Sequence, residues 1–254
     1  MSNKIAYCFL VYDKIVRHDI WNKYFQDKDT EEYEVIIHSK YNLSKEYLDE
    51  IYKFKYKQIE QDESVKTFSK NDINIVRATL LLLKKALEYE NVSHILFLSQ
   101  SCIPLHKYDI LKNIIGKIDR SIIDCKLNKS VERYRTLTKI LQNTFNVKYF
   151  YKQQPNMLLI RHDAKLFVDN DLTNEWSRVL CPDEHYFINN GLHIFEMNIL
   201  RAQINFCNLI PGRTQALTFN NVNTDFLNKL RGSGYLFMRK IEINSVVDDS
   251  YLID

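Results

Sequence analysis

The stretch HILFLSQSCIPL, His94–Leu105, decides the fold. Its first five residues lack the in-and-out alternation of a half-solvated strand and read as a strand buried on both faces. A turn of small polar residues, Ser99-Gln100-Ser101, follows at once. Working upstream, Asp72–Tyr89 has apolar residues on nearly every side and reads as a largely buried helix. Ser69 or Asn71 can cap its start, and Lys84-Lys85 suit the negative end of its dipole. Two more apolar runs, Ile5–Tyr12 and Tyr33–His38, read as buried strands, with a helix over His18–Gln26 between them. Residues 44–60 read as a short helix and an exposed loop. The order strand, helix, strand, long helix, strand implies an α/β fold with a mostly parallel central sheet flanked by helices. Such sheets bind ligands beyond the carboxyl ends of their strands. That points to Tyr12, Ser99, Gln100 and Ser101 as pocket residues.

Downstream the pattern is more mixed. Met157–Ile160 reads as a short strand with a helix from His162, and Pro182 suits the first turn of another helix. Thr224–Leu230 reads as a helix stopped by Gly232-Ser233-Gly234, and Tyr235–Ile243 as a last strand. No repeat and no Pro/Gly/Ser-rich linker divides the 254 residues, so residues 1–254 are expected to form one domain.

Composition excludes several classes. Hydrophobic residues make up 45% and charged residues 26%, so the chain can bury a core and is not a disordered polymer. The net charge of +3 falls short of the basic excess of a nucleic-acid binder. No segment reaches the roughly 20 apolar residues of a membrane span, and the first apolar run reads as a strand rather than a signal peptide, so a cytoplasmic protein is expected. The five cysteines form no CxxC pair, which argues against a zinc site or a disulfide framework. Cys102 is expected to be a small buried packing residue and not a nucleophile.

The signatures GxGxxG, P-loop, HExxH and GxSxG are absent from the sequence. Two D-x-D strings, Asp27–Asp29 and Asp169–Asp171, do not follow buried strands and read as solvated loops. In Cys181-Pro182-Asp183-Glu184-His185-Tyr186, two acids and a His open an expected helix, where free amides favour an ionised carboxylate. Such a group is a competent general base, although a capping box with a surface His is the plainer reading. Arg213, Arg231, Arg239 and Lys240 gather late in the chain and suit a diphosphate, or else the polar side of a strand. Glu132-Arg133-Tyr134-Arg135 suits a carbohydrate contact or an ordinary surface.

Together these strings resemble one family, the core-2/I-branching β-N-acetylglucosaminyltransferases, including their plant and bacterial branch. Ser99–Leu105 is similar to the family's S-x-S-C-x-P-L and Pro182–Tyr186 to its P-D-E-H-Y. Phe237–Ile241 is similar to its F-A-R-K-F and Met157–Ala164 to its W-x-x-L-x-R-x-x-A, with Pro155-Asn156 where the Trp usually stands. The resemblance implies a GT-A-like domain and an inverting, metal-independent glycosyltransferase that moves a sugar (GlcNAc, xylose or glucuronic acid) from a UDP-sugar to a glycan or glycoprotein hydroxyl. It implies Glu184 as catalytic base, and Lys240 with Arg213 or Arg239 on the donor diphosphate. Tyr12, Ser99, Gln100 and Ser101 would line the donor pocket, and Arg133, Asp183 and His185 the acceptor side. No cofactor and no metal are implied. The alternative is a non-catalytic nucleotide-sugar or glycan-binding protein on the same fold.

Overall fold

The structure is a computed structural model and describes residues 4–59, 73–127, 149–209 and 216–252. The expected caps Ser69 and Asn71, and the site candidates Arg133 and Arg213, lie outside the described residues.

The first half alternates strands and helices: β1 (Lys4–Val11), α1 (His18–Phe25), β2 (Tyr33–Ser39), α2 (Lys45–Ile51), β3 (Lys57–Gln58), α3 (Asn74–Leu87) and β4 (Val92–Ser99). Then come β5 (Ile103–Pro104), α4 (Tyr108–Gly116), β6 (Ile122–Leu127), β7 (Tyr151–Ile160), α5 (Arg161–Asp169), α6 (Thr173–Trp176), a 3-10 turn (Pro182–Glu184) and α7 (Tyr186–His193). The last described elements are β8 (Asn205–Cys207), β9 (Phe219–Val222), α8 (Thr224–Gly232), β10 (Phe237–Arg239), β11 (Ile241–Val247) and a 3-10 turn at Ser250–Leu252.

Six strands form the central sheet in the order β3-β2-β1-β4-β7-β6. The first four are parallel, and β7 runs antiparallel to both β4 and β6. This bears out the expected α/β fold with its mostly parallel sheet. The continuous apolar runs follow from burial on both faces. On one face Ala6, Cys8, Ile95 and Phe97 pack with Val76, Leu82 and Leu83 of α3 and Phe167 of α5. On the other, Tyr7, Phe9, Leu96 and Leu98 pack with Trp21 and Phe25 of α1 and Tyr108 and Leu111 of α4. Among the described residues no helix is long and apolar enough to cross a membrane.

Three expectations are corrected. Met157–Ile160 is only the end of a ten-residue strand. Pro182 opens a three-residue 3-10 turn rather than a helix, and α7 begins two residues after Glu184. Tyr235–Ile243 is two strands: β10 lies between β5 and β8, whereas β11 pairs with β9. The chain therefore leaves one small sheet for another at Lys240.

Candidate active site

Where β1 and β4 end, their parallel direction delivers both chains to the same edge of the sheet, and hydrogen bonds lock them together. The Gln100 side-chain oxygen accepts from the Tyr12 amide at 2.7 Å. The Gln100 and Ser101 carbonyls accept from the Val16 and Ile241 amides at 2.9 and 3.0 Å. From the β2 side, the Lys40 and Tyr41 amides donate to the Val11 and Tyr12 carbonyls at 3.0 and 2.6 Å. These bonds enclose a cleft of about 500 Å³ lined by Tyr12, Lys40, Ser99, Gln100, Ser101, Arg239, Lys240 and Glu242, with apolar walls from Val11, Val16, Ile75 and Ile241.

The structure thus gathers Tyr12, Ser99, Gln100, Ser101, Arg239 and Lys240 in one place, although they are spread over most of the sequence. Lys40 and Glu242 join them without having been singled out from the sequence. Lys40 had a readable signal, since it directly follows the buried strand β2. Its ammonium lies 5.6 Å from the centre of the Tyr12 ring and 5.3 Å from that of Tyr41. Glu242 accepts a hydrogen bond from Thr218 at 3.0 Å. Among the described residues neither Lys40, Arg239 nor Lys240 has an ion-pair partner. Three cations against one carboxylate make the cleft a place for an anion. Cys102 is fully buried, its Sγ 3.2 Å from Ser99 Oγ and its carbonyl bound by the Trp21 indole N–H at 3.0 Å. Among the described residues no group of three or more His, Cys, Asp or Glu side chains is placed to hold a metal ion.

Glu184 is not among the residues lining this cleft. It sits on the 3-10 turn, which packs against β7 and against α3, the helix that contributes Ile75 to the cleft wall. Cys181, with φ of 50°, turns the chain through the left-handed region just before it. Glu184 Oε2 lies 2.8 Å from the Lys152 ammonium, a partner that the sequence did not suggest. Asp183 is half-buried, and its Oδ1 is buried with no hydrogen-bond partner among the described residues. Burial, and then the charge of Glu184, push its carboxyl up to about 6. His185 is fully buried, its Nδ1 is 2.9 Å from the Tyr151 carbonyl and its ring packs on Phe150. Burial also lowers its pKa, which favours the neutral ring.

Among curated proteins nothing matches the chain. Solved structures show a loose likeness. The apo structure of the bifunctional glycosyltransferase WbbM is 11% identical with a TM-score of 0.48 over 94% of this chain, which spans only 45% of that protein. The galactosyltransferase LgtC, solved with donor and acceptor sugar analogues, is 15% identical with a TM-score of 0.46, covering 79% of this chain and 75% of LgtC. A cytidylyltransferase from Leptospira borgpetersenii is 11% identical with a TM-score of 0.39, covering 78% of this chain and 74% of that one. The family comparison is the informative one, since the Core-2/I-Branching enzyme model matches residues 5–199, which contain the Ser99–Leu105 and Pro182–Tyr186 strings. On that match, over an α/β fold with a mostly parallel central sheet, the chain belongs to the Core-2/I-Branching enzyme family of glycosyltransferases.

Proposed function

We propose that the protein is an inverting, metal-independent glycosyltransferase that moves GlcNAc, xylose or glucuronic acid from a UDP-sugar to a hydroxyl of a glycan or glycoprotein. The observation that carries this reading is the cleft at the carboxyl ends of β1 and β4, where Arg239 and Lys240 stand without ion-pair partners among the described residues. In a single displacement the acceptor oxygen attacks the anomeric carbon, and the bond from that carbon to the UDP oxygen breaks. Glu184 takes the acceptor proton. Lys240 and Arg239 meet the charge that develops on the departing β-phosphate, the part a divalent ion plays in metal-dependent enzymes. Arg213 is a further candidate for the diphosphate, and Arg133 and Asp183 for the acceptor.

The alternative, a non-catalytic nucleotide-sugar or glycan binder on the same fold, draws on the Lys152–Glu184 ion pair, because that pair engages the proposed base. UDP release that depends on added acceptor separates the two. Transfer should persist in excess EDTA. Lys240→Ala should weaken UDP binding and slow transfer together by about 1.5–3 kcal/mol, the size of a charge-assisted hydrogen bond. Activity lost in EDTA and restored by Mn²⁺ would overturn the metal-independent mechanism.

A further inference from the structure

Arg239 lines both the cleft and a second, much smaller cavity that Asn156 and Asn205 also line. Asn156 stands on β7, beside Arg239. It is buried, and all its hydrogen-bonding capacity is used. Its oxygen accepts from Arg239 Nη1 and from Asn205 Nδ2, each at 3.1 Å. Its amide nitrogen donates to the Phe97 carbonyl at 3.1 Å and to Cys102 Sγ at 3.4 Å. The orientation of this amide is fixed by chemistry, because a guanidinium only donates and the oxygen must therefore face it. The four partners come from β4, from the turn after it, from β8 and from β10. One side chain ties β4 and β7 of the main sheet to the strand that carries Arg239.

We infer that Asn156, held in place by Asn205, is a positioning residue that fixes the Arg239 guanidinium for the donor diphosphate. Arginine loses much rotamer freedom when it grips a ligand, and a guanidinium already anchored at one nitrogen loses less. With Nη1 bound to Asn156, Nη2 has no partner among the described residues, and Nε is buried with none. The anchor therefore turns the planar group without neutralising it, which a carboxylate in the same position would do. The Asn205 oxygen is likewise buried and unpartnered. Asn205 thus serves here as a donor to Asn156, which holds the Asn156 oxygen toward Arg239.

This inference rests on the reading of the cleft as a UDP-sugar site, and a double-mutant cycle separates the two. UDP affinity is measured by calorimetry for the wild type, Asn156→Ala, Arg239→Ala, Lys240→Ala and the doubles Asn156→Ala/Arg239→Ala and Asn156→Ala/Lys240→Ala. Asn156→Ala should weaken UDP binding about tenfold, or about 1.4 kcal/mol. In the Arg239→Ala background its effect should fall below about twofold, and in the Lys240→Ala background it should stay near tenfold. Melting temperatures report the structural cost separately: Asn156→Ala should lower them in every background, whereas its loss of affinity should depend on Arg239 and not on Lys240. Asn205→Ala, on a less buried residue, repeats the cycle if Asn156→Ala does not fold. An unchanged affinity, or the same factor with and without Arg239, would overturn the positioning role and leave the UDP site intact. Absence of UDP binding by the wild type would overturn both.

Discussion

At Glu184 two neighbours set what a substitution does. Lys152 holds one carboxylate oxygen and Asp183 crowds the turn with a second acid. Glu184→Gln is nearly isosteric and cannot take a proton, so the variant should fold and bind UDP while its kcat falls by far more than tenfold. A loss of less than about 1.4 kcal/mol in barrier would show that another group is the base. Asp183 yields a pH prediction. Its carboxyl titrates at about 6 in the folded chain against an ordinary 3.8, chiefly because of burial and next because of Glu184. The native state therefore binds more protons than the unfolded chain between those values, and this group's contribution to stability falls as pH rises through 6. Asp183→Asn removes the cost. Urea unfolding should show the variant gaining up to about 3 kcal/mol over the wild type at pH 8, with most of the gain gone by pH 4. An equal difference at both pH values would contradict the burial account.

Among the elements, α3, β4 and α5 meet at Arg161. Its Nη1 donates to the carbonyls of Tyr89 and Val92 at 2.8 and 3.1 Å, and its Nη2 to that of Leu87 at 3.0 Å. These carbonyls lie at the end of a helix and the start of a strand, where backbone acceptors run out of local partners. Arg161→Ala should cost about 2–4 kcal/mol in urea unfolding, and Arg161→Lys should recover less than half, because an ammonium cannot span three carbonyls. A cost below 1 kcal/mol would remove Arg161 from its capping role. The same region shows what the sequence could reveal. β1, β2 and β4 were legible because strands covered on both faces are apolar at every position. The first half of β7, Tyr151–Asn156, was not: its polar residues pair with β6 through a register shift and face both water and core. β10 and β11 were read as one strand because the break at Lys240 is set by partners distant in sequence. For the cleft, Tyr12 and Ser99–Ser101 followed from strand direction alone. Lys240 needed the family resemblance, as did Glu184 outside the cleft, and Asn156 had no local signal, since its four partners are distant in sequence.

Over the whole molecule, the cleft is framed by two bodies of structure, the six-stranded sheet with its two cores and the small sheets that bring in Arg239 to Glu242. A ligand held by both can bind only the assembled form, so UDP at 100 times its dissociation constant should stabilise the fold by about 2.7 kcal/mol. Thermal denaturation with and without UDP reads this directly, and an unshifted transition at millimolar UDP would argue against the site. The insertion of β10 between β5 and β8 also has a consequence for synthesis. Met238 takes its register from Ile103 on one side and Phe206 on the other, so the cationic wall is completed by a pairing that reaches far back along the chain. On the ribosome, the strands ending at Val11, Ser39 and Ser99 emerge first and can settle against their helices. The nascent chain then has a pocket floor with Lys40 as its cation, and lacks Arg239 and Lys240 until residue 240 has left the exit tunnel. If the cleft takes the proposed UDP-sugar, the full cationic wall is available to it only in a chain translated past that point.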